Sequence, residues 1–296
     1  VRKRETEFGD LILDSKFNPN LEDKPNEFNP NKRSTIKQDL VRIGARYELS
    51  PQQNIIASFA YTGHKDNQFI GGETPITLKS NGNGYIAEIQ HLFTRDLFNT
   101  ITGFSTYQIN VDKKIDVQAD IQAFPSSTSE KNKGYIYTNF NFLEKVNMTL
   151  GLSYDSFKEG EDSKKNKFNP KFGLQMDITH YLRLRMAWFE TVKSALIANQ
   201  TLEPTQVAGF NQLFDDVNGT KARRKGIGLD AVVSQHIYAG VEASVRNLEV
   251  PMSNFFAIGD FQKQREELYR AYLYWLPHKN WSIRGEPQFE KYIRDQ

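Results

Sequence analysis

Residues 166–193 read NKFNPKFGLQMDITHYLRLRMAWFETVK. Phe168, Pro170, Phe172, Leu174, Met176 and Ile178 share one parity, and Lys167, Asn169, Lys171, Gly173, Gln175 and Asp177 share the other. After Thr179, His180 and Tyr181 the chain returns with Leu182, Leu184, Met186 and Trp188 set against Arg183, Arg185, Ala187 and Phe189. Successive side chains of a strand point to opposite faces, so each run has one apolar and one wet side. Two such runs of roughly ten residues across a tight turn are the unit of a membrane β-barrel, with lipid outside and water within.

The same unit recurs along the chain. Leu40–Leu49 pairs with Asn54–Lys65 across Ser50-Pro51-Gln52-Gln53, and Gly84–Phe93 with Phe98–Val111 across Thr94-Arg95-Asp96-Leu97. Gly134–Leu143 pairs with Val146–Phe157 across Glu144-Lys145, and Lys225–Ser234 with Ala239–Glu249 across 235–238. Glu266–Leu276 pairs with Trp281–Ile293 across Pro277-His278-Lys279-Asn280. With the opening hairpin this predicts about twelve strands. Turns inside hairpins are short. The links between hairpins, Asn67–Asn83, Asp112–Lys133, Ser194–Arg224 and Pro251–Arg265, are long and polar and predict loops on the opposite rim. This sorting is that of an outer-membrane barrel, whose long loops lie outside the cell. A soluble sandwich, the competing architecture, uses strands of about 5–6 residues and has no reason to sort its loops.

Composition agrees. No run of apolar residues is long enough for a membrane helix. A mean hydropathy of −0.61 is compatible with a barrel, because half of each strand and all loops meet water. Aromatic residues make up 12%, which suits strands and interfacial girdles. The net charge of +2 gives no support to nucleic-acid binding. The absence of cysteine removes disulfides and thiolate chemistry. Val1-Arg2-Lys3-Arg4-Glu5 is followed by no apolar run, so no signal peptide is expected in this stretch.

Charge assigns the faces. An Arg or Lys facing lipid at the bilayer midplane costs about 2–4 kcal/mol. The outward sets are free of charge: Val41-Ile43-Ala45-Tyr47, Ile55-Ala57-Phe59-Tyr61, Ile101-Gly103-Ser105-Tyr107-Ile109, and Val146-Met148-Leu150-Leu152-Tyr154. Tyr47, Phe59, Leu150, Leu152, Phe172, Leu174, Met176, Leu184, Trp188, Leu273 and Trp275 are therefore expected to face lipid. The lumen is expected to be lined by Arg42, Arg46, Glu48, Glu88, Asp155, Lys171, Asp177, Arg183, Arg185, Asp230, Glu242, Arg246, Arg270, Arg284 and Glu286. On the outward parity charge returns only toward the loop rim, at Lys65, Glu190, Glu249, Glu267 and Lys291. Pro287 predicts a bulge or a sheet edge.

Motifs for chemistry are weak. His64 and Asp66 share the inward parity near the loop rim, but no nucleophile completes a catalytic group. Gly226-x-Gly228 enters a strand and lacks the third glycine of a nucleotide loop. Asp215-Asp216-x-Asn218-Gly219 and the cluster Glu159, Glu161, Asp162 read as solvated turns rather than cation sites. No enzyme, metal or cofactor is implied.

The segment Ala195–Gln212, with Phe168–Leu174, Leu182–Trp188 and the turn Leu49-Ser50-Pro51, resembles outer-membrane barrels of the TonB-dependent-receptor-like kind. More narrowly it resembles the barrel that follows tetratricopeptide repeats in proteobacterial outer-membrane proteins. The resemblance implies an all-β, transmembrane, antiparallel up-and-down barrel in the bacterial outer membrane. It implies outer-membrane lipid, and a periplasmic repeat domain or the TonB system, as partners. Such receptors carry a plug and a TonB-contacting box, which this stretch does not show, and outer-membrane barrels end in an aromatic residue where this chain reads Arg294-Asp295-Gln296. Both ends fall on the long-loop side, so either strands are missing at both ends or Glu7–Leu13 is one poor strand and one more is lost, and residues 1–37 are expected to be loop or partial strand. Residues 38–296 are then a barrel incomplete at both ends, and the whole would have at least about 14 strands. Three functions follow: a transport passage for a polar solute or polymer, a plugged uptake receptor, and a surface protein that displays its loops.

Overall fold

Every long alternating run of the sequence is a strand, and the long strands hydrogen-bond to one another in chain order. The computed structural model describes residues 2–6, 32–71, 74–117, 120–124, 126–142, 145–159, 163–193, 200–254 and 257–294. The strands are β1 (Arg2–Thr6), β2 (Lys32–Ser50), β3 (Gln53–Ile70), β4 (Ile76–Thr94), β5 (Phe98–Val117), β6 (Asp120–Ala123), β7 (Ser127–Phe142), β8 (Val146–Glu159) and β9 (Ser163–Thr179). They continue with β10 (Leu182–Val192), β11 (Gln206–Val207), β12 (Phe210–Asn211), β13 (Lys221–Ser234), β14 (Ile237–Asn254), β15 (Ala257–His278), β16 (Trp281–Gly285) and β17 (Gln288–Arg294). One 15-stranded antiparallel sheet contains all but β11 and β12, which form a separate small hairpin. Among the described residues the first and last strands do not pair with each other, so the sheet is a wall with two edges. It is strongly curved: Phe157 of β8 packs with Ala60, Ile86 and Tyr107 of β3, β4 and β5 in one buried cluster.

All six expected hairpins form, but three expected loops are mostly strand. β3 and β4 run on to Ile70 and from Ile76, β5 to Val117 and β7 from Ser127, and β14 and β15 to Asn254 and from Ala257. At 18 to 22 residues, β3, β5 and β15 exceed the roughly 9–11 residues that cross a bilayer. Beyond the membrane both faces meet water, so the alternation that marks a strand fades although the ladder continues. Strand also begins earlier than residue 38: Thr6 pairs with Ser34 and Arg2 with Gln38. Glu7–Leu13 lies outside the described residues.

Prolines mark where pairing stops. β9 pairs with β10 only as far as Lys171, next to Pro170, which has no N–H to offer. Pro251 lies past Glu249, the last residue of β14 paired with β13, and the register to β15 shifts just after it. Pro287 interrupts the strand between β16 and β17 at the sheet edge, and its carbonyl accepts from Ala271 N at 3.0 Å.

One facing is reversed. On β5 the set Ile101-Gly103-Ser105-Tyr107-Ile109 lies on the concave side, not outside. Tyr107 is 5% exposed, whereas Phe104 is 47% exposed and pairs with the 50%-exposed Ile89. Neither parity of this stretch carries a charge through Gln108, so charge had nothing to discriminate there. The corrected facing makes a prediction. Phe104→Arg should impair membrane insertion by about 2–4 kcal/mol, as should Leu150→Arg, while Ser105→Arg and Asn147→Arg should insert nearly as well as wild type. Protease protection and heat-modifiable migration after refolding into vesicles measure this.

Candidate functional site

Between β10 and β13 the chain folds back onto the concave wall. Residues 206–211 form the β11–β12 hairpin, whose two turn residues, Ala208 and Gly209, both have positive φ, 49° and 83°. A two-residue turn of this hand matches the strand twist but costs a non-glycine residue about 1–2 kcal/mol. Burial of the tip offsets that cost. Val207 and Phe210 are fully buried, in one cluster with Tyr135, Tyr137, Ala187, Phe189 and Ala208.

The wall is cut to receive this tip. A Cβ on Gly226 of β13 would lie 2.2 Å from the Phe210 ring, and one on Gly173 of β9 would lie 2.8 Å from Val207 Cγ1. A Cβ on Gly228 would meet the Arg185 guanidinium at 2.9 Å. The Gly226-x-Gly228 pair is thus a seat for an aromatic ring and a guanidinium.

Polar lashings run from β4 to β14. The Glu88 carboxylate accepts from Thr201 Oγ1 at 2.6 Å and from Leu202 N at 3.1 Å, and Gln90 donates to the Leu202 carbonyl at 2.5 Å. Glu203 pairs with Lys133 and accepts from Tyr137 Oη at 2.7 Å. Gln212 donates to Tyr137 Oη at 3.2 Å, and Arg224 donates to the Asn211 carbonyl at 3.0 Å. Arg246 pairs with Asp216, and its guanidinium lies 3.5 Å from the centre of the Phe214 ring. Arg185 and Arg224 lie over the Phe210 ring at 5.1 and 5.4 Å. Burial works against the charged form of Glu203, but Lys133 and Lys171 outweigh it, and its pKa lies below the ordinary carboxylate value.

Two charge clusters result. In the first, Lys131 pairs with Asp155 at 2.6 Å, Asn169 donates to Asp155 at 2.5 Å, and Lys171 donates to the Glu190 carbonyl at 3.1 Å. In the second, Arg185 forks onto Asp230 at 2.6 and 3.0 Å. Glu242 there takes Arg224 at 3.2 Å and Arg270 at 3.1 Å, Arg270 reaches Glu286 at 3.1 Å, and Arg284 also pairs with Glu286. Arg246 completes it with Glu266 at 2.5 Å.

Of the side chains expected in the lumen, Glu88, Asp155, Lys171, Arg185, Glu242 and Arg246 are buried around the folded-in segment. Arg42, Arg46 and Glu48 are exposed on β2 near its turn; Arg42 donates to Ser58 and Arg46 to Asn54. Asp177 and Arg183 form their own fork at the β9–β10 turn. On the outer side Tyr47, Phe59, Leu150, Leu152, Phe172, Leu273 and Trp275 are exposed, and Leu174, Met176, Leu184 and Trp188 are half-buried.

Lys131, Lys133, Glu203, Asp216 and Arg224 belong to the site but lie in stretches that read as loops. Asp216 is engaged by Arg246 rather than by a cation site. Asp66 accepts from Gln68 at 3.1 Å. The paired inward glycines opposite a long link were the available signal for the seat.

A family model described as "TonB dependent receptor-like, beta-barrel" matches residues 4–241. Comparison with curated proteins gave no match. Among solved structures the chain is similar to BauA, the ferric preacinetobactin receptor of Acinetobacter baumannii, at 12% identity and TM-score 0.65, covering 88% of this chain and 46% of that one. It is similar to the ferric yersiniabactin uptake receptor FyuA of Yersinia pestis at 10% identity and TM-score 0.67, covering 89% and 44%. It is also similar to the copper transporter OprC at 10% identity and TM-score 0.64, covering 88% and 49%. The chain thus spans less than half the length of these structures, which share its fold. With the family model matched over most of its length, the chain belongs to the TonB-dependent-receptor-like β-barrels, proteins of the Gram-negative outer membrane.

Proposed function

We propose that this chain builds part of the wall of a transport passage for a polar solute, and that residues 200–220 form its constriction. One observation carries the reading: a segment of the chain is lashed across the concave wall by side chains of both signs, with Phe210 and Val207 seated against Gly226 and Gly173. In this reading the concave set from Arg42 to Glu286 lines the passage, the outer set from Tyr47 to Trp275 meets lipid, and the constriction binds and passes its solute without chemistry. The solved relatives are named for ferric-siderophore uptake and copper transport. A compact polar metal chelate taken up with the TonB system is therefore the substrate class we favour. A polymer exported through a barrel joined to periplasmic tetratricopeptide repeats is supported only by the resemblance of Ala195–Gln212.

The test is single-channel conductance of the full-length protein in planar bilayers. Replacing residues 201–213 by a short flexible linker should raise conductance several-fold. Gly226→Leu should do the same by expelling Phe210, with insertion unchanged. An intact barrel whose conductance ignores both changes would sink the constriction.

Glu203 gives a second test. Glu203→Ala leaves the buried Lys133 to share Asp155, at 3.7 Å, with Lys131, removes the acceptor of Tyr137 Oη, and should weaken docking of the segment by about 3 kcal/mol. The lowered pKa means that the carboxylate's contribution is complete above the ordinary carboxylate value and is lost as pH falls through the lowered one. Conductance should therefore rise as pH falls through and below the ordinary carboxylate range, and in Glu203→Gln that rise should be smaller.

A further inference from the structure

The outward face of β13, β14, β15 and β17 changes character within one row of residues. Cross-strand register aligns Met186, Ile227, Ala243, Tyr269 and Phe289, all uncharged. The next row toward the loop rim is Trp188, Lys225, Val245, Glu267 and Lys291. The row beyond it is Glu190, Arg223, Asn247, Arg265 and Ile293, and then come Val192, Lys221, Glu249 and Lys263. These three charged rows hold six cations and three carboxylates.

The carboxylates are already occupied. Glu190 takes Arg223 at 2.7 Å and Lys167 at 3.0 Å, Glu249 takes Lys221 at 3.2 Å, and Glu267 takes Arg265 at 2.9 Å. Lys225, Lys263 and Lys291 have no carboxylate partner among the described residues, and the Arg223 and Arg265 side chains remain more than half exposed. On β3, β4, β5 and β7 the corresponding row, Gly63, Asn83, Asn110 and Thr128, is uncharged, and the cations Lys65, Lys79 and Lys114 enter only in the rows beyond it, with Asp112 among them.

The cationic rows border a cleft of about 360 Å³ lined by five cations, Lys167, Lys221, Arg223, Lys263 and Arg265, and by the two carboxylates Glu190 and Glu249. On the same strands below it lies an apolar groove of about 710 Å³, lined by Leu184, Ile227, Val241, Ala243, Tyr269 and Phe289. From Ile227 to Arg223 is about 13 Å along an extended strand.

We propose that this face binds a phosphorylated lipid, its phosphate in the cationic cleft and an acyl chain in the groove. Guanidinium groups fork onto phosphate oxygens, and an ammonium adds a point charge. The excess of positive charge selects an anionic headgroup, and the groove directly beneath it selects a lipid over a soluble phosphate. The inference rests on the outer set facing lipid.

The experiment reconstitutes the full-length protein in phosphatidylcholine nanodiscs with a small admixture of phosphatidic acid, and reads retained lipid by native mass spectrometry after detergent extraction. Wild type should retain phosphatidic acid in preference to phosphatidylcholine. Substituting Arg223, Lys263 and Arg265 together by Gln should weaken that retention by about 100-fold at low salt. Ala243→Trp, which fills the groove, should also weaken it, and Lys279→Gln at the opposite rim should not. Millimolar inorganic phosphate should leave retention intact. A triple variant that retains phosphatidic acid like wild type, or displacement by inorganic phosphate, would overturn the lipid site. A wild-type protein that inserts but shows no preference would overturn the site alone, whereas failure to insert would overturn the outward facing itself.

Discussion

A strand crossing a bilayer can satisfy its backbone N–H and C=O groups only through its neighbours, because the hydrocarbon offers no partner. The rest of this molecule depends on that requirement. It forces long strands into one continuous antiparallel ladder, and the ladder aligns side chains into rows that run across many strands. Rows therefore differ as units: the row from Met186 to Phe289 is uncharged, whereas the row from Glu190 to Ile293 carries Glu190, Arg223 and Arg265. A single substitution on the outer face changes a row, not merely a residue.

The same ladder makes the concave side crowded. Curvature brings Phe157 against Ala60 and Ile86, strands apart in the sheet, and brings cations from several strands toward one space. Cations gathered on one side of a wall repel unless carboxylates lie between them. Asp230, Glu242 and Glu286 interleave the arginines of β10 to β16, whereas Lys131, Lys133 and Lys171 cluster around Asp155 on the wall itself. The folded-in segment supplies Glu203 to this deficit and Asp216 to Arg246. Its docking is as much an electrostatic requirement of the wall as a consequence of the Phe210 and Val207 tip.

Much of this was legible in the sequence. Alternation located the hairpins and their turns, and charge offered an assignment of the faces wherever one parity carried Arg, Lys, Asp or Glu. It failed on β5, where Thr102, Phe104 and Thr106 oppose Gly103, Ser105 and Tyr107 without a charge on either side; only the register to Ile89 and Tyr135 decides that strand. It failed also in the protruding strands, where water on both faces erases the alternation that Lys131 and Arg224 would otherwise have joined. The inward seat was visible only as glycines. Gly173 and Gly226 lie far apart in sequence, and what they accommodate comes from a third segment, so no local pattern connects them.

This division has a physical origin. Membrane facing is a single-strand property, since each side chain answers separately to lipid or water, and a single strand is what a sequence displays. The constriction is a property of complementary pairs: Gly226 with Phe210, Lys133 with Glu203, Arg246 with Asp216 and Phe214. Each pair loses its meaning when one member is read alone, because an inward glycine is a weak spot in a strand until a ring fills it, and a buried lysine is a cost until a carboxylate meets it. The groups that hold the segment in are also those that any polar solute must satisfy in its place. If the segment is the constriction we propose, its displacement would uncover the lysines and arginines it now neutralises, and a ligand with acceptors of its own would take its place.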